Sequence, residues 1–365
     1  MITISLCMIV KNEEQTLKKC LDSVKGIADE IIIIDTGSTD KTKEIAYSFT
    51  NKVYDFQWIN NFAAVRNFAF SKATKDYQLW LDADDIIIER DKLAFLELKK
   101  TLSPEIDMVL MKYNYVVDEN NNPVYSFYRE RLVKRINNYQ WNDAVHEYIE
   151  YRDNYLMSEI AITHKKINTF SDRNLKIYEE QLQKNLPFSP RSLYYYAREL
   201  RDHYKYIEAI EFFNKFLDTK QNAVGDNINA CLEIGKIYKQ LGDSDNALNY
   251  LLRSFSYDIP RAESCCEIAE IYKNKEDYRK AIYWYEYVLT LKMPNDISIT
   301  SSDSWNFVPA IELAVCYYNS GNVEKAIFYN ELAGKFKEKH DSVVHNRNFF
   351  NRTRSKDFYY TDYKR

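Results

Sequence analysis

Glycine and proline are scarce in this chain, seven of each in 365 residues, which is too few for a loop-rich or all-β architecture. No apolar run approaches the roughly 20 residues needed to cross a bilayer. The start is apolar only from Met1 to Val10 and passes directly into Lys11-Asn12-Glu13-Glu14, with no basic segment or cleavage site, so a cytoplasmic protein without a transmembrane segment is expected. Positive charge is not in surplus: 50 Lys and Arg stand against 54 Asp and Glu, and a protein that works by neutralising phosphates is not suggested, so no nucleic-acid partner is expected. The six cysteines, Cys7, Cys20, Cys231, Cys265, Cys266 and Cys316, show neither zinc-site spacing nor the density of a disulfide framework, and buried, reduced thiols are expected. What is abundant is aromatic. With 31 tyrosines and 19 phenylalanines, 45% hydrophobic and 28% charged residues, the composition fits two globular units rich in helix.

Tyr77-Gln-Leu-Trp-Leu81 is an apolar strand that ends in Asp82-Ala83-Asp84-Asp85. Several carboxylates in one turn cost free energy unless a cation or a set of donors sits there, so the turn reads either as a metal site or as a polar strand end and cap for a helix over 89–100. Ahead of it, residues 3–10 form a buried strand, a helix opens at Asn12 with Leu17, Leu21 and Val24 at helical spacing, and the apolar run Glu30–Asp35 is a strand buried on both faces. Gly37 permits the turn after it, and Ser38 or Thr39 caps a helix to about Phe49. Asp35, at a strand's carboxyl end, either caps or accepts from a base or ribose. A weaker strand at 52–56 precedes a helix from Asn61 that carries Arg66 among apolar neighbours, where a semi-buried guanidinium needs a phosphate or carboxylate partner.

Beyond the acidic turn, 106–117 and 123–135 alternate as antiparallel strands at the sheet's edge, with Asn120-Asn121-Asn122-Pro123 as the turn. Arg129, Arg131, Lys134 and Arg135 make either a solvated face or a diphosphate contact. Val145-His146-Glu147 offers a carboxylate that can act as a general base. His164 ends a further short strand.

The order SLCMIVKNEE, CLDSV, ADEIIIIDTGSTDKT, FAAVRN, LWLDADD resembles the family 2 glycosyltransferases of GT-A fold over roughly residues 3–90. That resemblance implies an α/β domain with a Rossmann-like mixed sheet, and a DxD motif in which Asp84 binds Mn²⁺ or Mg²⁺, Asp82 lies near the ribose and Asp35 contacts the nucleotide base. Arg131 falls where related enzymes often carry an R-L-apolar-R pattern, with Lys134 at the last position in this chain. Glu147 falls in a V-H-E segment that occupies the place of the catalytic base. His164 matches a histidine that often joins the metal, and such a mixed set suits Mn²⁺ better than Ca²⁺.

From about residue 168 the periodicity is helical and repeats. Small residues recur twelve apart as Ala197 with Ala209, Gly235 with Ala247, Ala269 with Ala281, and Ala314 with Ala326, with large residues at fixed offsets, among them Tyr238, Leu251, Tyr272 and Tyr285. These are the small and aromatic positions of the tetratricopeptide repeat, clearest in the middle two, with Asn295–Asn306 as an insertion. The expected division is a catalytic domain over 1–167, a connecting helix over 168–190, repeats over 191–340 and a tail over 341–365.

A catalytic half followed by such repeats is similar to bacterial peptide S-glycosyltransferases and some protein O-glycosyltransferases. The implied activity is inverting, metal-dependent transfer of a hexose or N-acetylhexosamine from a UDP-sugar, UDP-glucose or UDP-GlcNAc, to a Cys, Ser or Thr side chain of a peptide or protein. The repeats would hold the acceptor or form a homodimer contact. A lipid-linked or cell-surface glycan acceptor is the enzymatic alternative, and a degenerate transferase serving as a repeat scaffold is the non-enzymatic one.

Overall fold

A computed structural model of the chain describes residues 1–117, 123–152, 154–165, 171–293 and 302–361. The chain divides into two compact units, Met1–Tyr196 and Ala197–Arg365. In the first, β1 (Ile4–Val10), α1 (Leu17–Ser23), β2 (Glu30–Asp35), α2 (Thr42–Tyr47), β3 (Val53–Asp55), α3 (Phe62–Ser71) and β4 (Tyr77–Trp80) alternate strand and helix. β5 (Asp85–Ile86), α4 (Glu89–Thr101), β6 (Met108–Val117), β7 (Pro123–Lys134), β8 (Trp141–Asn142), β9 (Tyr148–Ile149) and β10 (Tyr155–His164) follow, then α5 (Arg173–Gln183) and α6 (Pro190–Asp202).

The main sheet has the order β3-β2-β1-β4-β7-β6-β10-β5, and β8 pairs with β9 apart from it. β1, β2, β3 and β4 are parallel, while β7 runs antiparallel to both β4 and β6. Period-two alternation sorts the strands into two cores. Ile4, Leu6, Met8 and Val10 pack with Leu17, Leu21 and Phe95 on one face, and Cys7, Ile32, Ile34 and Trp80 pack with Val65, Phe70 and Trp141 on the other. Because both faces are covered, Ile32, Ile33 and Ile34 are all fully buried, each worth about 1.5–3 kcal/mol. Their parallel register brings Val10 level with Asp35, so the carboxyl ends of the strands open on one edge.

Several expectations need correction. The first helix begins at Leu17, not Asn12, because Asn12 adopts φ 56° and its carboxamide oxygen accepts from the Thr39 amide at 2.8 Å. Neither Ser38 nor Thr39 caps the next helix, since α2 begins at Thr42 after Lys41 without a side-chain cap, and Asp35 Oδ1 closes the turn after β2 by accepting from the Gly37 and Ser38 amides at 2.9 Å each. α4 starts after Ile88 without a side-chain cap, so the acidic turn is not its N-cap. β6 and β7 pair as expected but lie inside the sheet, with β10 and β5 beyond them. Their turn at Asn120-Asn121-Asn122 lies outside the described residues. The span 168–190, expected as a connector, belongs to the first unit: Tyr178 is buried, Asn60 donates to Glu180 at 2.9 Å, and Ser189 donates to Asp143 at 2.8 Å.

The second unit holds α7 (Tyr206–Asp218), α8 (Val224–Gln240), α9 (Ser244–Arg253), α10 (Ala262–Asn274), α11 (Tyr278–Val288), α12 (Ser302–Trp305), α13 (Phe307–Asn319), α14 (Val323–Phe336) and α15 (Asp341–Thr361). The small residues sit where helices meet: Ala209, Ala247, Ala269, Ala281, Ala314 and Ala326 are fully buried, with Phe213, Leu251 and Tyr285 filling the space beside them. Much of the expected insertion at Asn295–Asn306 lies outside the described residues. All six cysteines are buried and free of disulfides. Among the described residues, no helix is long and apolar enough to cross a membrane.

Gly235 marks the closest approach. A Cβ there would stand 2.7 Å from Leu251 Cγ, and Leu251 is fully buried and cannot step aside. Overpacking of this kind costs about 1–3 kcal/mol, which outweighs the ~1 kcal/mol that any residue gains over glycine in a helix. Gly235→Val should therefore lower the unfolding midpoint of the repeat unit in a urea titration followed by circular dichroism. An unchanged midpoint would show that α8 and α9 can separate freely.

Candidate functional site

β4 ends at Trp80, and the chain turns sharply through Asp82, Ala83, Asp84 and Asp85, closed by a 3.0 Å hydrogen bond from the Asp85 amide to the Asp82 carbonyl. The four acidic-turn residues divide by orientation. Asp82 and Asp84 line a cavity of about 410 Å³ together with Glu13, Arg66, Trp80, Arg129, Glu147, His164 and Arg173. Asp85 points inward, fully buried, and takes four donors: Arg131 at 3.0 Å, the Asp82 amide at 3.1 Å, the Tyr113 hydroxyl at 3.0 Å and the His164 ring at 3.2 Å. It anchors the turn from below.

His164 reaches the same place from the end of β10, where its backbone pairs with Asp85. Its Nδ1 lies 2.8 Å from the Tyr113 hydroxyl and 3.4 Å from Asp84 Oδ1. Ligand atoms of Asp84, Asp85 and His164 all lie within 4.8 Å of one another. Two carboxylates and an imidazole at that spacing could hold a metal ion. Charge crowding has a measurable consequence. Burial pushes the Asp84 carboxyl up, Asp82, Asp85 and Glu13 add to this, and against the opposing pull of His164 it rises to about 6. Burial alone would lower His164, but its hydrogen bond to Asp85 and the charge of Asp84 raise it.

Arg66 is the centre of a second network. Its guanidinium donates to Glu147 Oε1 at 2.6 Å and to Asp82 Oδ1 at 2.7 Å, bridging residues far apart in sequence. It is held between the Trp80 and Trp141 rings, 4.8 Å from each centroid. Burial pushes the Asp82 carboxyl up, but Arg66 and Arg131 outweigh it and hold the group down at about 2. Of the two partners the sequence left open for Arg66, phosphate or carboxylate, the structure supplies two carboxylates.

Arg131 does not stand where it was expected. It is fully buried beneath the acidic turn, paired with Asp85 and stacked 3.8 Å from the Trp80 ring, so it has no access to the cavity. Of the basic residues on this part of β7, the one that lines the cavity is Arg129. The reason is a β-bulge: Glu130 pairs with Leu110 and Leu132 with Val109, so Arg131 is an extra residue on β7 whose direction does not follow the strand's alternation.

Asp35 is buried at the end of β2 and is not among the residues that line the cavity, although its neighbour Thr36 is. Asp35 Oδ2 has no hydrogen-bond partner among the described residues. Glu13, Trp58, Phe62, Arg129 and Arg173 line the cavity without having been singled out from the sequence. Trp58 and Phe62 meet edge to face at 4.7 Å, and the Arg173 guanidinium stacks 4.7 Å from the Phe62 ring.

Residues 5–156 match the model of Glycosyl transferase family 2, and residues 228–258 and 262–292 match the tetratricopeptide repeat. The first half of the chain carries a family 2 glycosyltransferase domain. Tetratricopeptide repeats follow it in the second half. The chain has relatives among bacterial and phage proteins. Glycosyltransferase SunS, derived from the SPbeta prophage of Bacillus subtilis, is 29% identical over 231 residues, covering 59% of this chain and 53% of that protein. A TPR repeat-containing protein of Synechococcus elongatus is 44% identical over 102 residues, 28% of this chain and 25% of that protein. An uncharacterized glycosyltransferase of Rickettsia bellii is 36% identical over 111 residues, 30% and 34% of the two chains. The chain thus spans about half or less of the length of these curated relatives.

Proposed function

We propose that the protein is an inverting, metal-dependent glycosyltransferase that moves a hexose or N-acetylhexosamine from a UDP-sugar to a Cys, Ser or Thr side chain of a peptide or protein. The observation that carries this reading is that Asp82, Asp84, His164 and Glu147, drawn from three separate segments, line one cavity, in a chain whose residues 5–156 match family 2. In this reading Asp84 and His164 hold Mn²⁺ or Mg²⁺, and the cation, when bound, neutralises charge on the departing diphosphate. Arg129 and Arg173 supply further positive charge along the cavity wall. Asp82 faces the ribose; Asp35, buried and outside the cavity lining, is left out of this reading.

Glu147 takes the proton from the acceptor thiol or hydroxyl as its sulfur or oxygen attacks the anomeric carbon. The bond from that carbon to the diphosphate oxygen breaks, and its electron pair leaves with UDP, inverting the configuration. Arg66 keeps the Glu147 carboxylate in the cavity by hydrogen bonding it from the side, while the two tryptophans fix the guanidinium. The peptide acceptor is supported by the tetratricopeptide repeats, an architecture that presents extended surfaces for protein segments.

Isothermal titration of the full chain with UDP, UDP-glucose and UDP-GlcNAc, in Mn²⁺ and in chelator, tests the donor half of the reading. Binding that appears with Mn²⁺ and disappears with chelator is expected. Absence of binding for all three under both conditions would overturn it.

A further inference from the structure

The segment between β8 and β9, residues 143–147, carries Glu147, and its backbone is unfavourable for the residues it contains. Asp143 (φ 64°) and His146 (φ 53°) both occupy the left-handed region without being glycine. Such residues cost about 1–3 kcal/mol each and persist only where the surroundings over-determine them.

The surroundings here do so at each successive carbonyl. The Ala144 carbonyl accepts from the Phe62 amide at 2.8 Å, that of Val145 from the Tyr178 hydroxyl at 3.5 Å, that of His146 from Arg191 Nε at 3.0 Å, and that of Glu147 from Arg129 at 3.5 Å. Two side-chain contacts complete the clamp: Ser189 donates to the Asp143 carboxylate, and the Tyr195 ring lies flat against the His146 imidazole, 4.1 Å between centroids and 15° from parallel. Tyr178, Ser189, Arg191 and Tyr195 all lie past residue 156, where the family match ends.

We infer that α5 and the start of α6 are a working part of the transferase site, with Arg191 and Tyr195 as positioning residues that set the Glu147 carboxylate in the cavity. The inference rests on the reading of Glu147 as the base. Arg191 fixes the His146 peptide through its carbonyl, and its guanidinium also stacks between the Tyr148 and Tyr195 rings, at 4.9 and 4.7 Å. Tyr195 holds the imidazole that precedes Glu147. Neither reaches the cavity itself; His146 and Glu147 do. Release of either contact lets the strained backbone relax and moves the carboxylate from the position where it meets the acceptor proton.

The experiment uses the full chain and water as the acceptor, so that no acceptor need be known: Mn²⁺-dependent hydrolysis of UDP-glucose and UDP-GlcNAc, with UDP binding measured in parallel. Arg191→Met and Tyr195→Leu are expected to lower kcat by about 10- to 100-fold with the donor KM and UDP affinity unchanged. Tyr195→Phe, which keeps the ring, should recover kcat to within about threefold of the parent. The inference is overturned if kcat holds in both truncating variants, if donor KM and kcat shift together, or if the Phe variant is as impaired as Leu. A parent protein that binds UDP but whose Glu147→Gln variant hydrolyses donor at the full rate would instead remove the reading of Glu147 as base.

Discussion

Glu147→Gln should reduce turnover by about 10²- to 10⁴-fold, the usual worth of a positioned general base, and leave UDP affinity nearly unchanged. The expectation is sharp because the substitution is nearly silent in geometry. A carboxamide oxygen at Oε1 still accepts from Arg66 Nε, now 2.6 Å away, so the side chain stays in place and loses only its capacity to take a proton. Steady-state hydrolysis and UDP titration on one preparation separate the two effects. Turnover that survives would mean that another group takes the proton from water.

Asp84→Asn addresses the opposite partner in the proposed chemistry. Removing one charged ligand should cost several kcal/mol of transition-state stabilisation, so donor turnover is expected to fall by at least about a hundredfold, with the metal dependence of UDP binding lost. The same change should stabilise the metal-free protein. Burial and the neighbouring carboxylates hold Asp84 at about 6 against an ordinary 3.8, so between those values the folded chain retains a proton that the unfolded chain has released. Stability therefore falls as pH rises through that window, and the penalty is complete above it. In chelator at pH 7 the Asn variant should exceed its parent by at most about 3 kcal/mol, and the difference should vanish below about pH 4. Thermal melts at both pH values check this. A variant less stable than its parent at pH 7 would show that the carboxylate is held by contacts, not crowded by charge.

The residues that could be read from sequence were those whose role follows from strand ends. Asp82 and Asp84 leave β4 at a place fixed by an apolar run, and His164 ends β10, so the strand ends were legible, while their meeting at one place was implied by the family resemblance alone. The buried small positions of the repeats were legible because a twelve-residue spacing recurs. Arg131 was misread because its direction is set by a bulge, and one extra residue in a ladder leaves no mark in the strand's composition. Arg129, two positions earlier, took the place expected for it. Glu13, in the loop between β1 and α1, and Arg173, at the start of α5, escaped notice because each is an ordinary charged residue, and only their place in the cavity lining distinguishes them. The reach of the first unit to Tyr196 was hidden for a similar reason: helical periodicity in 173–196 says nothing about which neighbour those helices pack against.

A single guanidinium serves both Asp82 and Glu147, and that sharing ties the two substrates together thermodynamically. On the proposed reading, a ribose that draws Asp82 toward itself competes with Arg66 for that carboxylate, and the charge released falls on Glu147. Donor and acceptor then cease to be independent ligands. By reciprocity, whatever factor the donor imposes on acceptor affinity the acceptor imposes on the donor, so the coupling between the two becomes a property of one arginine.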